Sequence, residues 1–414
     1  MALRVLFLAP RVPWPLDTGG KIRTHYLMRA LARRHRVRVL ALGDPNTDGE
    51  GAEAVREMGA ICELHRPAAR LGQLVQLARG LAGPVPYNIR KYGSSTLEQR
   101  ARQLARQGEV DVVHCDHVHM APYGPSTGLP YVVDEHNVET VIWERFARDP
   151  EEPLYKRALF RQQAFWLRRA ERRLCREASL VLLCSETDEQ ALRELVGPGR
   201  APRTVVVPNG VDVGFFAAPG PAADAGHVFF TGSMDWAPNE NAVLTFLDEI
   251  YPEMQRELPG LRFYVVGRNP GARLRERHGA AGVHVTGTVP DVRPYMRGAL
   301  ALLVPMRVGG GTRLKILEAF AAGVPVISTA IGIEGIAAEP GVHYLRAETA
   351  AEFAAGARRL REEPRLREAL VQAGGALAQG TYSWDAVGGA LARTYDELFG
   401  SGGGLDVAPI PKGR

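Results

Sequence analysis

The chain has 414 residues, 45% of them hydrophobic and 23% charged, which excludes extensive disorder and supplies two hydrophobic cores rather than one. Its net charge of +5 is uneven: residues 1–208 hold 31 basic against 24 acidic side chains, so the first half is the one expected to meet an acidic surface or substrate. Four cysteines (Cys62, Cys115, Cys175, Cys184) without paired spacing exclude a zinc site or a disulfide framework and fit a reducing cytoplasm, and no aromatic-and-basic recognition motif calls for nucleic acid.

The first strand is expected at residues 3–9 (LRVLFLA), an apolar run too brief for a signal-peptide core, and no segment approaches the length of a membrane span. A soluble cytoplasmic protein, or one peripheral at the inner membrane face, is therefore expected. Further apolar runs bounded by turn signals follow at 36–42, 110–115, 130–135, 178–185 and 204–209, with helical patterns between several of them. The rhythm restarts with HVFFTGS at 227–233 and continues through RFYVVG, VHVTG, ALALLVP, VPVIS and HYLR. Such alternation predicts parallel sheets covered by helices, twice over. The small residues, prolines and glycines of FFAAPGPAADAGH mark the boundary near 208–226, and SGGGLDVAPIPKGR reads as a flexible tail.

In open parallel sheets ligands bind beyond the carboxyl ends of strands, so the loops after strands carry the chemistry. After the first strand, Gly19 and Gly20 precede a helix whose N-terminus suits an anion. After the strand at 299–305 comes VGGGTRLKILEAFAAGVPVIS. Thr312 is a natural N-cap there, which places Arg313 and Lys315 in the first turn, where the helix dipole favours an anion and disfavours cations. Either these two side chains neutralise a phosphate, or they point into water at a small cost. Glu318, one turn along the same face and flanked by apolar residues, needs a partner if ionised, and two ribose hydroxyls would serve. Neither loop is a Walker A motif, and the first strand lacks GxGxxG.

The stretch at 308–328 resembles the donor-binding signature of retaining nucleotide-sugar glycosyltransferases of family 4, which have the GT-B fold. In order along the chain, TGG at 18–20, DVVH at 111–114, CSETD at 184–188, VPNGVD at 207–212 and YSWDAVGGALARTYDEL at 382–398 are similar to marks of that family. EHNVE at 135–139 and GSMDWAPNENA at 232–242 are closer to a bacterial subgroup associated with exopolysaccharide and exosortase loci.

The resemblance implies an α/β architecture of two Rossmann-like parallel-sheet domains facing a central cleft. The acceptor-side domain would take residues 1–208 and the nucleotide-sugar domain 209–381. A terminal helix at 382–399 would cross back to the first domain, and a tail would follow at 400–414. It makes Glu318 the ribose ligand and Arg313 and Lys315 the donor-phosphate contacts. Gly19 and Gly20 approach the diphosphate, Gly310 and Gly311 lie in the donor loop, and the backbone at Val289 receives the nucleobase. His136 stands near the transferred sugar as the catalytic residue. Two departures stand out. Gly310 occupies the position where the family commonly has a second Glu, and MDWAPNENA the region of its Arg and Lys pair.

The implied activity is retaining transfer of a sugar from a nucleotide diphosphate donor to a polysaccharide, lipid-linked or other envelope acceptor, with no cofactor and no metal. A nucleotide-sugar 2-epimerase of similar architecture and a non-catalytic membrane-associated binding protein are the rival readings. From the residues alone, 155–177, with eight basic side chains, two Glu and interspersed aromatics, can lie on an anionic bilayer or simply cover the first domain while its charges stay solvated. Asp235 and Asn239 are further candidates for ligand contact, with helix capping the plainer role for Asn239.

Overall fold

A computed structural model describes residues 2–67, 83, 85–149, 152–199, 202–222, 224, 226–308 and 312–400. The chain divides into two compact units, residues 1–208 with 387–414, and residues 209–386. No helix among the described residues is long and apolar enough to cross a membrane.

The first unit is built on a seven-stranded parallel sheet in the order β3-β2-β1-β4-β5-β6-β7. Its strands are β1 (Arg4–Ala9), β2 (Arg36–Leu42), β3 (Ile61–His65), β4 (Val112–Asp116), β5 (Tyr131–Glu135), β6 (Leu180–Leu183) and β7 (Thr204–Val206). β4, β5 and β6 are buried at every residue, which is why they read as unbroken apolar runs. β3 is the strand that periodicity misses. As an edge strand it exposes Ile61 and places Glu63 in ion pairs with Arg38 and Arg100, so ICELH shows no apolar run.

The second unit carries a six-stranded parallel sheet in the order β10-β9-β8-β11-β12-β13. These strands are β8 (Val228–Thr231), β9 (Phe263–Val266), β10 (Val283–Gly287), β11 (Ala301–Val304), β12 (Val326–Ser328) and β13 (Leu345–Arg346). Apolar cores fill both of its faces: Phe246, Phe263 and Phe353 lie in one, and Phe229, Ile316 and Phe320 in the other. Both sheets reverse their strand order at one place, between β1 and β4 and between β8 and β11. Chain connections leave in opposite directions there and open a crevice at the strands' carboxyl ends.

The last helix, Trp384–Phe399, belongs to the first unit from Val387 onward. Gly388 lies so near Ala30 that a Cβ would stand 2.5 Å from that methyl group, and the Tyr395 hydroxyl meets His114 Nδ1 at 2.6 Å. His114 stacks on Phe7 in the core, the structural place its strand position suggests. All four cysteines are free and buried.

Candidate active site

In the first unit the loops after β1, β4 and β5 are neighbours because those strands are adjacent in the sheet. The helix Gly19–Ala32 starts directly after the β1 loop, with Thr18 extended ahead of it. One turn in, Arg23 is fully buried and grips Asp134 at the end of β5 with two hydrogen bonds, Nε to Oδ2 at 3.2 Å and Nη2 to Oδ1 at 2.6 Å. Its Nη1 donates to the Val207 carbonyl at 2.7 Å. Thr24 donates to Asp116 Oδ2 at 2.9 Å.

His136 lies at the focus of these groups. Its Nε2 is 2.8 Å from Asp116 Oδ1 and 3.4 Å from Asp134 Oδ2, and its ring stacks on His117 with centroids 3.6 Å apart. A Cβ on Gly20 would stand 3.7 Å from His136 Nδ1 and 3.9 Å from His117 Nε2, so glycine at that position leaves the edges of both rings uncovered. His117 is held at φ 67°, a left-handed conformation that costs a residue other than glycine about 1 kcal/mol or more.

The charges sort clearly. Burial pushes the Asp134 carboxyl up, but the Arg23 guanidinium and His136 outweigh it and hold the group well below the usual carboxylate range. Burial also disfavours an imidazolium at His136, yet Asp116 and Asp134 together raise it above the ordinary histidine value. His117 moves the other way, through burial and then the charge of His136. Of the two stacked rings, His136 is therefore the one whose protonated, hydrogen-bond-donating form the surroundings favour. Asp116, His117 and His136 also offer donor atoms within 4.8 Å of one another, a spacing a cation could use. The two imidazole planes lie within 29° of parallel, so their in-plane lone pairs run side by side rather than towards each other.

Of the two carboxylates at the end of β5, Asp134 belongs to this cluster. Glu135 lies on the opposite face of the strand, buried against Cys175 Sγ at 3.4 Å, where burial and the neighbouring Glu171 raise its carboxyl well above the usual value.

In the second unit the helix after β11 runs from Leu314 to Ala321 and has Arg313, not Thr312, as its cap residue. The start shifts by one because the Arg313 carbonyl takes the first turn's hydrogen bond, from the Ile316 amide at 2.9 Å, while Thr312 Oγ1 is buried without a partner among the described residues. Neither cation points into water. Arg313 is buried, and Lys315 is buried with its Nζ 3.6 Å from the Phe230 ring centre, donating to Asn239 Oδ1 at 3.0 Å. Burial, and then the charge of Arg313, hold the Lys315 ammonium well below the usual lysine value.

Asn239 is not a cap. It lies inside the helix Ala237–Thr245, where its amide bridges the Ser233 carbonyl and Lys315. Gly232 makes room for this contact, since a Cβ there would come within 2.8 Å of Asn239 Nδ2 and 3.0 Å of Lys315 Nζ. Asp235 is turned into its own loop, bonded to Ser233 and Asn269. Glu318 is half-buried, and burial, against the pull of Lys315, lifts its carboxyl to about 7. Gly310 and Gly311 lie outside the described residues. Val289 is half-buried in the loop after β10, the edge strand three positions from β11, about 14 Å across the sheet by strand spacing.

The structure thus gathers Gly20 and His136 in one cluster and Arg313, Lys315 and Glu318 on one short helix, with Val289 apart. Arg23 and Asp116 escape sequence reasoning, while Asn239, a candidate for ligand contact in the sequence, accepts a hydrogen bond from Lys315. The signal for Arg23 was its position one turn beyond Gly19 and Gly20.

Glu318 yields a pH prediction. A carboxyl raised to about 7 in the fold, against an ordinary value near 4.5, contributes stability that is full below 4.5 and lost as pH climbs towards 7. Glu318→Gln should flatten that part of the stability profile. If the ionised carboxylate binds a ribose, nucleoside affinity in the wild type should rise as pH passes 7, more for ribonucleosides than for deoxyribose analogues. Calorimetric titration across pH 5–8 checks both, and equal affinities for the two sugars would remove Glu318 from ribose contact.

Two family models match the chain in succession. One, described as Glycosyltransferase Family 4, covers residues 18–215, and the other, described as Glycosyl transferases group 1, covers residues 225–363. The chain is 26% identical to the phosphatidyl-myo-inositol mannosyltransferase of Mycobacterium tuberculosis (strain ATCC 25618 / H37Rv) over 96% of its length and 98% of that protein. It is 26% identical to the D-inositol 3-phosphate glycosyltransferase of Actinosynnema mirum over 80% of its length and 84% of that protein. Among solved structures, HepE of Anabaena, crystallised with UDP, superposes with a TM-score of 0.68 at 16% identity, over 96% of this chain and 100% of that one. Sucrose-phosphate synthase of Thermosynechococcus elongatus does so at 0.66 and 18%, over 96% and 99%. Two parallel-sheet units, each matched in order by one of the paired family models, make the chain a member of glycosyltransferase family 4 with the GT-B fold.

Proposed function

We propose that the protein transfers a sugar, with retention of configuration, from a nucleoside diphosphate donor to an envelope glycan or lipid-linked acceptor. The observation that carries this reading is Lys315. A buried ammonium at a helix start, opposed by Arg313 and by the helix dipole, costs the free protein stability, and a diphosphate removes that cost. In this reading Glu318, one turn further on, binds the ribose, and the backbone at Val289 receives the base. HepE was crystallised with UDP and with UDP-glucose, and a donor of that class is proposed here.

In the first unit His136 donates a hydrogen bond to the transferred sugar. With its proton held by Asp116 and Asp134, it is unsuited to removing one from the acceptor, so the departing phosphate accepts that proton on the same face. Arg313 and Lys315 then neutralise the diphosphate charge that a metal would otherwise neutralise, and the reaction is metal-independent.

The test is a thermal-shift screen of nucleoside diphosphates, followed by transfer assays with the donor selected. A bound nucleotide raises the apparent stability. Activity should survive exhaustive chelation, and the anomeric configuration of the product should match the donor. A sharp loss on chelation would return the Asp116, His117 and His136 cluster to a metal-binding role. Release of free sugar and nucleotide without an acceptor would favour an epimerase, and binding without turnover a non-catalytic protein.

The acceptor half also fits peripheral contact with an anionic membrane. On the helix Leu154–Glu177, Phe160 packs edge-on against Trp143, but Leu154 is 79% and Tyr155 73% exposed at its start, and Phe165 faces outward beneath Arg169. Arg161, Arg168, Arg172 and Arg173 share the exposed side. Cosedimentation with vesicles rich in phosphatidylglycerol should fall several-fold in Leu154→Glu/Tyr155→Glu and with added salt. Binding indifferent to both would leave the helix a cover for the first unit.

A further inference from the structure

The first unit holds a cavity of about 540 Å³ that none of the groups above accounts for. It lies between the end of β3, the short helix Tyr87–Arg90, the start of the helix Ser95–Arg106 and the loop after β4. Arg66 and Arg90 line it, together with His119 and the residues Ser94, Ser95 and Thr96.

Its polarity is one-sided. Arg66 has one acidic neighbour, Asp44 at 3.4 Å, on an exposed side chain. Arg90 makes no ion pair among the described residues, and its Nε is buried without a hydrogen-bond partner. The acid in the lining, Glu98, is already bonded to Arg102 at 2.5 Å. At the head of the helix the Leu97 amide is satisfied by Ser94 Oγ and the Glu98 amide by the Ser94 carbonyl, which leaves the Ser95 and Thr96 amides as the two that the helix itself cannot bond. The frame is firm, because the Tyr123 hydroxyl accepts from the Ser94 amide and donates to the Tyr92 carbonyl, both at 2.7 Å.

The wall formed by His119 ties the cavity to the candidate active site. The rings of His119 and His117 are 5.7 Å apart, and His117 stacks on His136. His119 is buried and, through burial and the charges of His117 and His136, held neutral, so it contributes a hydrogen bond rather than a charge. A group bound here is one histidine pair away from the reacting centre, and it lies in the first unit, whereas the nucleotide is assigned to the second.

We propose that this cavity is an oxyanion-binding subsite for the acceptor: Arg90 and Arg66 grip a phosphate or carboxylate that the acceptor carries, with the Ser95 and Thr96 amides as further donors. The word acceptor rests on the glycosyltransferase reading; the anion site rests on the cavity alone. The acceptor is accordingly a phosphorylated or uronate-bearing molecule, not a neutral sugar.

The probes are inorganic phosphate and glucuronate, titrated at constant ionic strength against chloride into the full chain saturated with the nucleoside diphosphate that binds it. Saturation blocks the donor's own phosphate contacts, so the remaining saturable signal reports the cavity. Arg90→Gln should weaken binding of the preferred probe about tenfold or more, and Arg66→Gln less, because Asp44 shares that guanidinium. Arg90→Lys, which keeps the charge and loses the fork, should fall between the wild type and Arg90→Gln. Phosphate bound more tightly than glucuronate marks a phosphorylated acceptor, and the reverse a uronate. Absence of saturable binding, or equal binding by the wild type and a folded Arg90→Gln, overturns the proposal. If no nucleoside diphosphate binds, the donor reading fails by itself, and the loss of phosphate binding in Arg90→Gln still tests the subsite.

Discussion

Replacing His136 by Ala is expected to lower transfer by about 100-fold or more while nucleoside diphosphate affinity stays nearly intact. The size follows from removing a charged donor aimed at the reacting centre. The separation of effects follows from its location: His136 is held by Asp116 and Asp134 in the first unit, whereas Lys315, Arg313 and Glu318 belong to the second. The variant has a structural consequence as well. With the imidazolium gone, Asp116 loses its nearest cation, and His117, no longer suppressed by its neighbour's charge, is free to take the proton. His136→Gln, which retains a donor without the charge, separates the two contributions. Near-normal transfer by the Ala variant would make His136 a purely structural residue.

Lys315→Met should show opposite effects on stability and on binding. A lysine whose folded value lies below its unfolded one destabilises the fold at every pH below the unfolded value, about 10.4, so removing it should raise the melting temperature of the free protein at pH 7. The same change should weaken nucleoside diphosphate binding by about 1.5–3 kcal/mol, the range for a hydrogen bond to a charged group, and leave nucleoside binding almost unchanged. Differential scanning calorimetry and titration calorimetry measure the two signs on one sample. A lower melting temperature with unchanged affinity would identify Lys315 as a structural strut to Asn239 and Phe230.

Sequence reasoning succeeded where one residue's neighbours in the chain are also its neighbours in space. Strands buried on both faces, such as β4, β5 and β6, announce themselves as apolar runs. Edge strand β3 does not, since half of its side chains answer to water and ion pairs. Lys315 and Glu318 were legible together because a helix turn joins them. Asn239 reaches Lys315 across 76 positions and Arg23 reaches Asp134 across 111, separations at which no local pattern survives. The direction in which Lys315 points was equally hidden. A cation in a first turn reads as a phosphate contact or as a solvated side chain, and neither reading shows the place inside that Gly232 leaves for it.

The bond between Tyr395 and His114 joins residues 281 positions apart, and it bears on how the protein is made. As the chain leaves the ribosome, residues 209–386 emerge before Val387–Phe399, while the sheet of residues 1–208 waits for that last stretch to cover His114 and Ala30. The unit that begins first is thus finished last. A nascent chain arrested with residues 209–386 outside the exit tunnel and Val387–Phe399 still inside it should hold a folded second unit and a first unit that proteases still cut, and emergence of Val387–Phe399 should protect the first unit.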